Sequence, residues 1–363
     1  MGMEVSYIRS SSYNNLDFCE HQYFLTYVLG IPKSTSKKAD QGTVVHKVME
    51  CLALLNQAYE KTGNLEIEDE SLGKLSYTID EWNLKTQLST DEIVDINKIR
   101  GNYYVYKYKC DLPYSHSRIG VKVVNDIFNR SYNYYSSKSP VKWAPRDKLD
   151  CEQWTWIPLE YKGGMFDPRK LKIVEAEPHF NLTLERDWGS VGLKGTIDLV
   201  TCPSEGSIEI VDWKTGQRKD WGTGKIKDYD YLCSDFQLMF YYYAARQMFP
   251  QYDHFSVTIF FIRDGGPYTI HFDESTIDVV ERKIKERVEL IRSTELPALC
   301  DPSHKDVKCD KFCDYFKMKG ADGQTNLCDF IHNEIKLIGI EEVSKKYKHE
   351  GHDVSNYKAP GGE

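Results

Sequence analysis

Two short apolar stretches, Leu193-Lys-Gly-Thr-Ile-Asp-Leu-Val200 and Ile208-Glu-Ile-Val-Asp-Trp-Lys-Thr215, limit what this chain can fold into. Each is rich in β-branched residues and bounded by turn formers. Both therefore predict strands, joined as a hairpin through Cys202-Pro-Ser-Glu-Gly206. On that reading Asp198 lies on the first strand, and Asp212 and Lys214 on the second. Strand side chains alternate, so Asp212 and Lys214 share a face, roughly 7 Å apart. Two carboxylates and an ammonium converging on an apolar hairpin are costly to bury unless something binds among them. A divalent cation with oxygen ligands would compensate the carboxylates and leave the lysine to orient or activate a water. Taken by itself, Asp-x-Lys has a plainer alternative, an ion pair on a solvated sheet face.

A length of 363 residues gives room for one large domain or two ordinary ones. The net charge of −8 does not advertise nucleic-acid binding. An acidic total can nevertheless conceal a basic groove, and metal-binding carboxylates add to the deficit. No apolar run approaches the roughly 18 residues of a membrane span, and the N-terminus lacks the apolar core of a secretory signal. A cytoplasmic protein is expected, with no membrane partner. Met1-Gly-Met-Glu-Val-Ser6 matches the loose myristoylation pattern, but that match is short and the helix after it needs its own N-terminal cap. Without a secretory signal, the ten cysteines argue for metal ligands or buried thiols rather than disulfides.

Along the chain, Ser10 to Gly30 predicts a helix that stops at Gly-Ile-Pro32, and Gln41 to Lys61 a second closed by Gly63. Residues 65–170 predict a helical insertion, with helices over Asp91–Cys110 and Val121–Tyr135, a loop over Ser136–Pro145 and a strand at Trp154-Thr-Trp156. From Leu171 the pattern changes: a strand over Lys172–Leu184, then the hairpin. A long helix follows over Tyr231–Phe249, then strands at Ser256–Arg263 and Tyr268–Phe272, and a charged helix over Thr276–Arg292. The expected organisation is N-terminal helices over 1–64, the insertion over 65–170, a core of sheet and helices over 171–297, a cysteine-rich segment over 298–345 and a disordered tail over 346–363. The fold class is α/β, a mixed sheet flanked by helices.

Cys300, Cys309, Cys313 and Cys328 cluster near the C-terminus, and Cys19 stands alone near the N-terminus. Four thiolates in short loops suit zinc, or an iron–sulfur cluster, whose ligand spacing is less regular. Separate buried thiols are the plain alternative. Cys51, Cys110, Cys151, Cys202 and Cys233 sit in helix or strand patterns and are assigned to the core.

These pieces resemble the RecB-like PD-(D/E)XK nucleases. Cys19-Glu-His-Gln-Tyr23 with Tyr27-Val-Leu-Gly30 is similar to their opening helix, and Gly42-Thr-Val-Val-His46 to their Gly-x-x-x-His motif. Gly195-Thr-Ile-Asp198 resembles the motif of the first metal-binding Asp, Val211-Asp-Trp-Lys-Thr-Gly216 the Asp-x-Lys motif, and Gln237-Leu-Met-Phe-Tyr241 the Gln-x-x-x-Tyr helix. One cysteine on the first helix and three after the core resembles the iron–sulfur exonucleases of the AddB, CRISPR-adaptation and phage type. The resemblance implies a restriction-endonuclease-like core with a helical insertion, and a 4Fe–4S cluster on Cys19, Cys309, Cys313 and Cys328 as a structural clasp, zinc being the alternative. Two features depart from the pattern. Cys309 and Cys313 are separated by three residues rather than two, and Cys300 is a spare that could replace Cys309.

The implied activity is a Mg²⁺- or Mn²⁺-dependent deoxyribonuclease, an exonuclease on single-stranded or end-bearing DNA. Asp198 and Asp212 would hold the metal with the Trp213 carbonyl, and His46 would add a ligand or an orienting contact. Lys214 would position water and offset developing charge. Glu177 resembles the acidic residue upstream of the metal-binding Asp, while Gln237 and Tyr241, one helical turn apart, would contact phosphate or base. Trp213 and Tyr231 are candidates for stacking on unpaired bases, with a core role as the default. Lys33, Lys37, Lys38, Arg218, Lys219, Lys225 and Lys227 are candidates for the DNA path. No Walker loop is present, since Gly222-Thr-Gly-Lys225 lacks its length, so unwinding would need a helicase or recombination partner. The rival readings are a catalytically silent DNA-binding protein of the same fold and a zinc-stapled interaction protein.

Overall fold

The computed structural model describes residues 2–32, 36–83, 85–87, 117–119, 121–219, 224–264, 266–301 and 305–349. The chain forms two compact units that interleave in sequence. One comprises Met1–Thr35, His179–Gly195 and Asp273–Glu363, the other Ser36–Pro178 and Thr196–Phe272. The strands, in chain order, are β1 (Tyr7–Ile8), β2 (Leu65–Asp69), β3 (Gly73–Tyr77), β4 (Lys85–Gln87), β5 (Ser117–Ile119), β6 (Ile173–Ala176), β7 (His179–Arg186), β8 (Gly189–Thr196), β9 (Leu199–Thr201), β10 (Ser207–Lys214), β11 (His254–Phe261) and β12 (Gly266–Ile270). No helix among the described residues is long and apolar enough to cross a membrane.

In the unit containing Ser36–Pro178, the described strands build a five-stranded sheet in the order β12-β11-β10-β9-β6. Only β10 and β11 pair in parallel, from Ser207↔His254 to Lys214↔Phe261; the other pairs are antiparallel. The interiors of these two central strands are buried almost continuously, as expected where both faces of a sheet are covered. The helix Lys37–Thr62 starts where Ser36 Oγ accepts the Ala39 N–H at 3.2 Å, and stops at Gly63, whose φ of 72° is left-handed. Val44, Val45, Val48, Leu52 and Leu55 on this helix are fully buried. They join Ile127, Trp154, Val211, Trp213 and Phe260 in one core. Burying those five side chains contributes about 10 kcal/mol.

The structure corrects several expectations here. Leu193–Val200 is not one strand: β8 ends at Thr196, and β9 starts at Leu199. Asp198 sits in the bend between them, where its Oδ2 accepts the Trp213 N–H at 2.7 Å and replaces a ladder bond. Lys172–Leu184 likewise breaks into β6 and β7 at Glu177-Pro178. Proline has no N–H to donate, and Glu177 takes a left-handed φ of 50°. The segment 65–170 is not purely helical, because it opens with the β2–β3 hairpin, whose turn is held by Asp69 Oδ1 accepting from the Ser71 and Leu72 amides. Trp154 and Trp156 lie on the helix Pro145–Glu160, which Pro145 starts, and both are buried core residues. The predicted Tyr231–Phe249 helix is two, Tyr229–Cys233 and Phe236–Met248, the second capped by Asp235 accepting from the Gln237 amide at 2.9 Å. The predicted helix over Asp91–Cys110 lies outside the described residues.

The other unit holds a three-stranded sheet of described strands, β1-β8-β7, in which β1 runs parallel to β8. The predicted Ser10–Gly30 helix breaks at Cys19, whose backbone is extended (φ −167°, ψ 117°). The helix Ser10–Phe18 ends there. Cys19 then caps the turn Glu20–Tyr23, its Sγ accepting the Gln22 N–H at 3.4 Å, and a π-helical turn follows over Phe24–Val28. The helix Ser275–Ser293 buries Val280, Ile284, Val288 and Ile291. On it, the Arg287 guanidinium grips Asp17 through both nitrogens at 2.8 and 2.9 Å, 3.8 Å over the Tyr13 ring. The predicted disordered tail from 346 is corrected at its start, where the helix Ile340–Tyr347 runs through Lys346; residues 350–363 lie outside the described residues.

Candidate active site

Alternation along β10 sends Asp212 and Lys214 to one face and Trp213 to the other. Trp213 is 1% exposed and packs its ring against Phe260 and Phe166, so it belongs to the core rather than to a base-stacking surface. Tyr231, by contrast, is exposed. The Lys214 ammonium curls back onto Asp212. It hydrogen-bonds Oδ1 at 2.9 Å and contacts Oδ2 at 2.7 Å without hydrogen-bond alignment. Asp212 is 1% exposed, whereas the Lys214 side chain keeps about a third of its surface in solvent.

Asp198 approaches from the β8–β9 bend. Its Oδ2 accepts the Trp213 N–H, and its Oδ1 lies 3.3 Å from His46 Nδ1. Gly42 and His46 are one turn apart and so share a face of the Lys37–Thr62 helix. A Cβ on Gly42 would lie 2.7 Å from Thr215 Oγ1, immediately after Lys214. Glycine inside a helix costs about 1 kcal/mol relative to alanine. Here it lets the helix sit against the end of β10 and deliver His46 to Asp198. Gly42→Ala is therefore expected to lower kcat/KM by about tenfold through displacement of His46. The double variant Gly42→Ala/Thr215→Ala should recover most of it, because the new methyl then meets only the residue-215 Cβ at 3.8 Å. Steady-state kinetics of both variants decide the point. No recovery in the double variant would mean that the clash is not the cause.

From the Phe236–Met248 helix, Gln237 Nε2 reaches Asp212 Oδ1 at 3.3 Å and the Tyr241 hydroxyl at 2.9 Å. Six sequence-chosen groups thus converge: His46, Asp198, Asp212, Lys214, Gln237 and Tyr241. The two carboxylates sit in contrasting environments. Burial pushes Asp212 up to about 6, with Asp198 adding to the shift and Lys214 opposing it. Burial works on Asp198 as well, but the charge and hydrogen bond of His46, then Lys214 and the Trp213 amide, outweigh it and hold that carboxyl below its ordinary value. Burial disfavours the Lys214 and His46 cations, yet the neighbouring aspartates overcome it, and both groups hold their protons more tightly than usual. Paired titratable groups driven apart in this way are a mark of acid–base and metal chemistry.

Glu177 joins by another route. Its N–H donates to the Asp198 carbonyl at 3.1 Å, while its carboxyl meets that of Glu50. Glu50 was missed in the sequence. The available signal was its place one turn after His46, on the same helix. Burial, then the hydrogen bond to Glu177, push Glu50 up to about 8, against the pull of Lys47 at 2.6 Å. The folded state therefore holds a proton that the unfolded chain releases near the ordinary value of 4.5. Stability from this group is complete below about 4.5 and is lost as pH rises through about 8. Glu50→Gln is expected to match the wild type near pH 5 and to be more stable by on the order of 2 kcal/mol at pH 8. Melting temperatures across that range test it, and parallel curves would contradict the assignment.

Of the candidate DNA-path cations, Lys37 pairs with Asp147 at 3.0 Å and Lys227 with Asp235 at 3.4 Å, and Arg218 lies 4.9 Å over the Tyr268 ring. Lys33 lies outside the described residues.

The cysteines divide. Cys51, Cys151 and Cys202 are buried. Cys233 is exposed, a correction to its core assignment, because it ends the short Tyr229–Cys233 helix on the outward side, and Cys110 lies outside the described residues. Cys19, Cys300, Cys309, Cys313 and Cys328 all line one cavity of about 260 Å³. A hydrogen bond from Cys328 pulls the Cys313 thiol down to about 6, while burial, then the bond to Cys300, pushes Cys309 up to about 12. As they stand, no three His, Cys, Asp or Glu side chains among the described residues are gathered tightly enough to hold one metal ion.

A family model of the PD-(D/E)XK nuclease superfamily matches residues 10–124 and 127–317. Among solved structures, the chain is similar to one from Eubacterium rectale named "Putative exonuclease", at 12% identity and a TM-score of 0.40, over 87% of this chain and 90% of that one. No curated protein matches.

Proposed function

The chain belongs to the PD-(D/E)XK nuclease superfamily, and on that basis we propose that it is a Mg²⁺- or Mn²⁺-dependent deoxyribonuclease, an exonuclease acting on single-stranded or end-bearing DNA. One observation carries the reading: Asp198 and Asp212 meet around the end of β10 with opposed shifts in proton affinity, beside a lysine they keep charged. The donor set suits a hard divalent cation. It offers two carboxylates, and Asp212 Oδ2 is buried without a hydrogen bond among the described residues. Asp198, Asp212 and the Trp213 carbonyl would hold the ion, with His46 as a further ligand or as the group that orients Asp198. Such an ion, when bound, supplies charge neutralisation at the attacked phosphate and at the leaving oxygen.

The remaining work falls to the protein. Lys214 holds its proton too firmly to act as a base, so it orients the attacking water and offsets charge as it develops. Gln237 and Tyr241, joined at 2.9 Å, fix each other and present an amide and a hydroxyl to the substrate phosphate. Glu177, hydrogen-bonded to the Glu50 carboxyl that burial keeps protonated up to about 8, is placed for proton transfer at this end of the sheet. Unwinding of duplex DNA would come from a partner helicase.

The thiol cavity supports a narrower placement, among the RecB-like iron–sulfur nucleases, with Cys19, Cys309, Cys313 and Cys328 as ligands and Cys300 as the spare. Five thiols around one cavity of about 260 Å³ offer the soft donors that an iron–sulfur cluster or zinc takes, and metal analysis of the purified protein separates the two.

Digestion of end-labelled single- and double-stranded DNA with Mn²⁺, beside a chelator control, tests the activity. Progressive, chelator-sensitive shortening from an end supports an exonuclease. An intact substrate under every condition would point to a DNA-binding module instead.

A further inference from the structure

Two cations, Lys38 and Arg263, sit over one buried tryptophan beside the end of β10. Lys38 Nζ lies 5.1 Å from the centre of the Trp154 ring, and the guanidinium carbon of Arg263 lies 4.5 Å from it. Trp154 is 2% exposed, too deep to stack on a DNA base, and serves as a floor for the two charges. Arg263 is anchored from the catalytic side. Its Nη1 donates to the Thr215 carbonyl at 3.3 Å, one residue after Lys214. Lys38 opens the Lys37–Thr62 helix one turn before Gly42, which packs against the same Thr215, and two turns before His46. Those two turns span roughly 12 Å, about three nucleotides of rise along one B-form strand.

Like charges held together cost free energy unless an anion offsets them. Burial and the Arg263 charge both weaken the hold of Lys38 on its proton, against the pull of Asp150 and Asp147. Both carboxylates are already engaged. Asp147 accepts from the Lys37 ammonium at 3.0 Å, the Gln41 amide at 2.7 Å and the Ala144 N–H at 2.6 Å, and Asp150 accepts from Arg146 at 3.0 Å. Asp40, on the same helix, accepts from the Ser139 hydroxyl at 2.8 Å. Lys38 itself forms no ion pair among the described residues, and it is exposed. The positive end of a helix favours carboxylates, so an ammonium in this first turn adds to the uncompensated charge.

We propose that Lys38 and Arg263 form a subsite for a backbone phosphodiester of the DNA strand, within about three nucleotides of the scissile phosphate. This rests on the nuclease reading given above. A phosphate taken by the exposed ammonium and the anchored guanidinium offsets both charges, and neither contact reads a base. The subsite holds the strand in register with Asp212 and Lys214 whatever its sequence.

The test is Mn²⁺-dependent digestion of a labelled single-stranded oligonucleotide by the full chain across a range of salt. Lys38→Gln is expected to raise KM about tenfold with kcat held. The slope of log KM against log salt should flatten by about 0.7, the share of one phosphate contact. Lys38→Arg keeps the charge and should restore the wild-type KM. Lys61→Gln removes an equal charge roughly 35 Å away, at the far end of the same helix, and should change neither quantity. An unchanged KM and slope in Lys38→Gln overturns the subsite. So does an equal effect in Lys61→Gln, which marks general attraction rather than contact. Arg263→Gln should match Lys38→Gln, and a folded Arg263→Gln with the wild-type KM overturns the pairing. Should that variant fail to fold for want of cover over Trp154, Lys38→Gln decides alone, since its side chain is exposed. Oligonucleotides ending in a hydroxyl or a phosphate should respond alike; a loss confined to phosphorylated ends overturns the diester assignment. A wild type that cleaves no DNA removes the nuclease reading itself, a separate result.

Discussion

Replacing Asp212 with alanine is expected to lower metal-dependent DNA degradation by about a thousandfold or more. Lys214, Gln237 and Asp198 all act on this carboxylate, and its side chain is almost wholly buried. Its removal takes away the proposed hard ligand and the anion that holds the Lys214 ammonium. Stability should change little by comparison. A buried carboxylate pushed up to about 6 destabilises the metal-free protein near neutral pH, and alanine relieves that while sacrificing the contact with Lys214. Asp212→Asn separates shape from charge, because it keeps the volume and can still accept from Lys214. Equal loss in both variants, with melting temperatures within a few degrees of the wild type, is the outcome expected of a charge-dependent ligand. Cleavage by Asp212→Ala within tenfold of the wild type would remove this residue from the chemistry.

The same carboxyl gives the reaction a pH dependence. Below about 6 Asp212 carries a proton, which competes with a cation for the same oxygens. At subsaturating Mn²⁺ the rate should fall about tenfold for each pH unit below that point, and added Mn²⁺ should restore it. Asp198 adds nothing to this limb, since its own proton is lost at lower pH. A pH limb that ignores the Mn²⁺ concentration would assign the titration to another group.

How far the sequence carried depended on whether position along one element was enough. Strand alternation placed Asp212 with Lys214, and helical spacing set Gln237 over Tyr241. Asp198 could be chosen but not placed. Its carboxylate takes a backbone amide that a continuous strand would have used, so the apolar run of 193–200 conceals a break. Glu177 could likewise be chosen but not placed, because its own left-handed backbone before a proline breaks an apparently uniform strand. Glu50 escaped because a glutamate one turn after a histidine reads as an ordinary helix surface until Glu177, from a distant part of the sequence, closes on it. The β2–β3 hairpin was lost for a different reason: Leu65-Glu-Ile-Glu-Asp is short and acidic, and its turn depends on Asp69 rather than on an Asn-Gly pair.

Cys19 poses the sharpest remaining choice, because the residue has two separable duties. Its sulfur caps the turn Glu20–Tyr23, and its side chain lines the cavity shared with Cys300, Cys309, Cys313 and Cys328. Capping alone is worth about 1 kcal/mol, and serine would perform it as well as cysteine. A metal–sulfur tie from Cys19 to the C-terminal thiols would instead close a loop of almost the whole chain. On the chain-entropy argument that is worth about 5 kcal/mol, or roughly 5–10 °C in melting temperature. Cys19→Ser therefore distinguishes the two. If the sulfur serves as a ligand, Cys19→Ser and Cys19→Ala both lose iron and colour and both melt far below the wild type, the alanine variant slightly lower. If it only caps, Cys19→Ser melts like the wild type and Cys19→Ala falls by a degree or two. Full iron and normal melting in Cys19→Ser would exclude Cys19 from the ligand set and leave Cys300 to complete it, since serine retains the cap but not the soft donor that iron–sulfur chemistry requires.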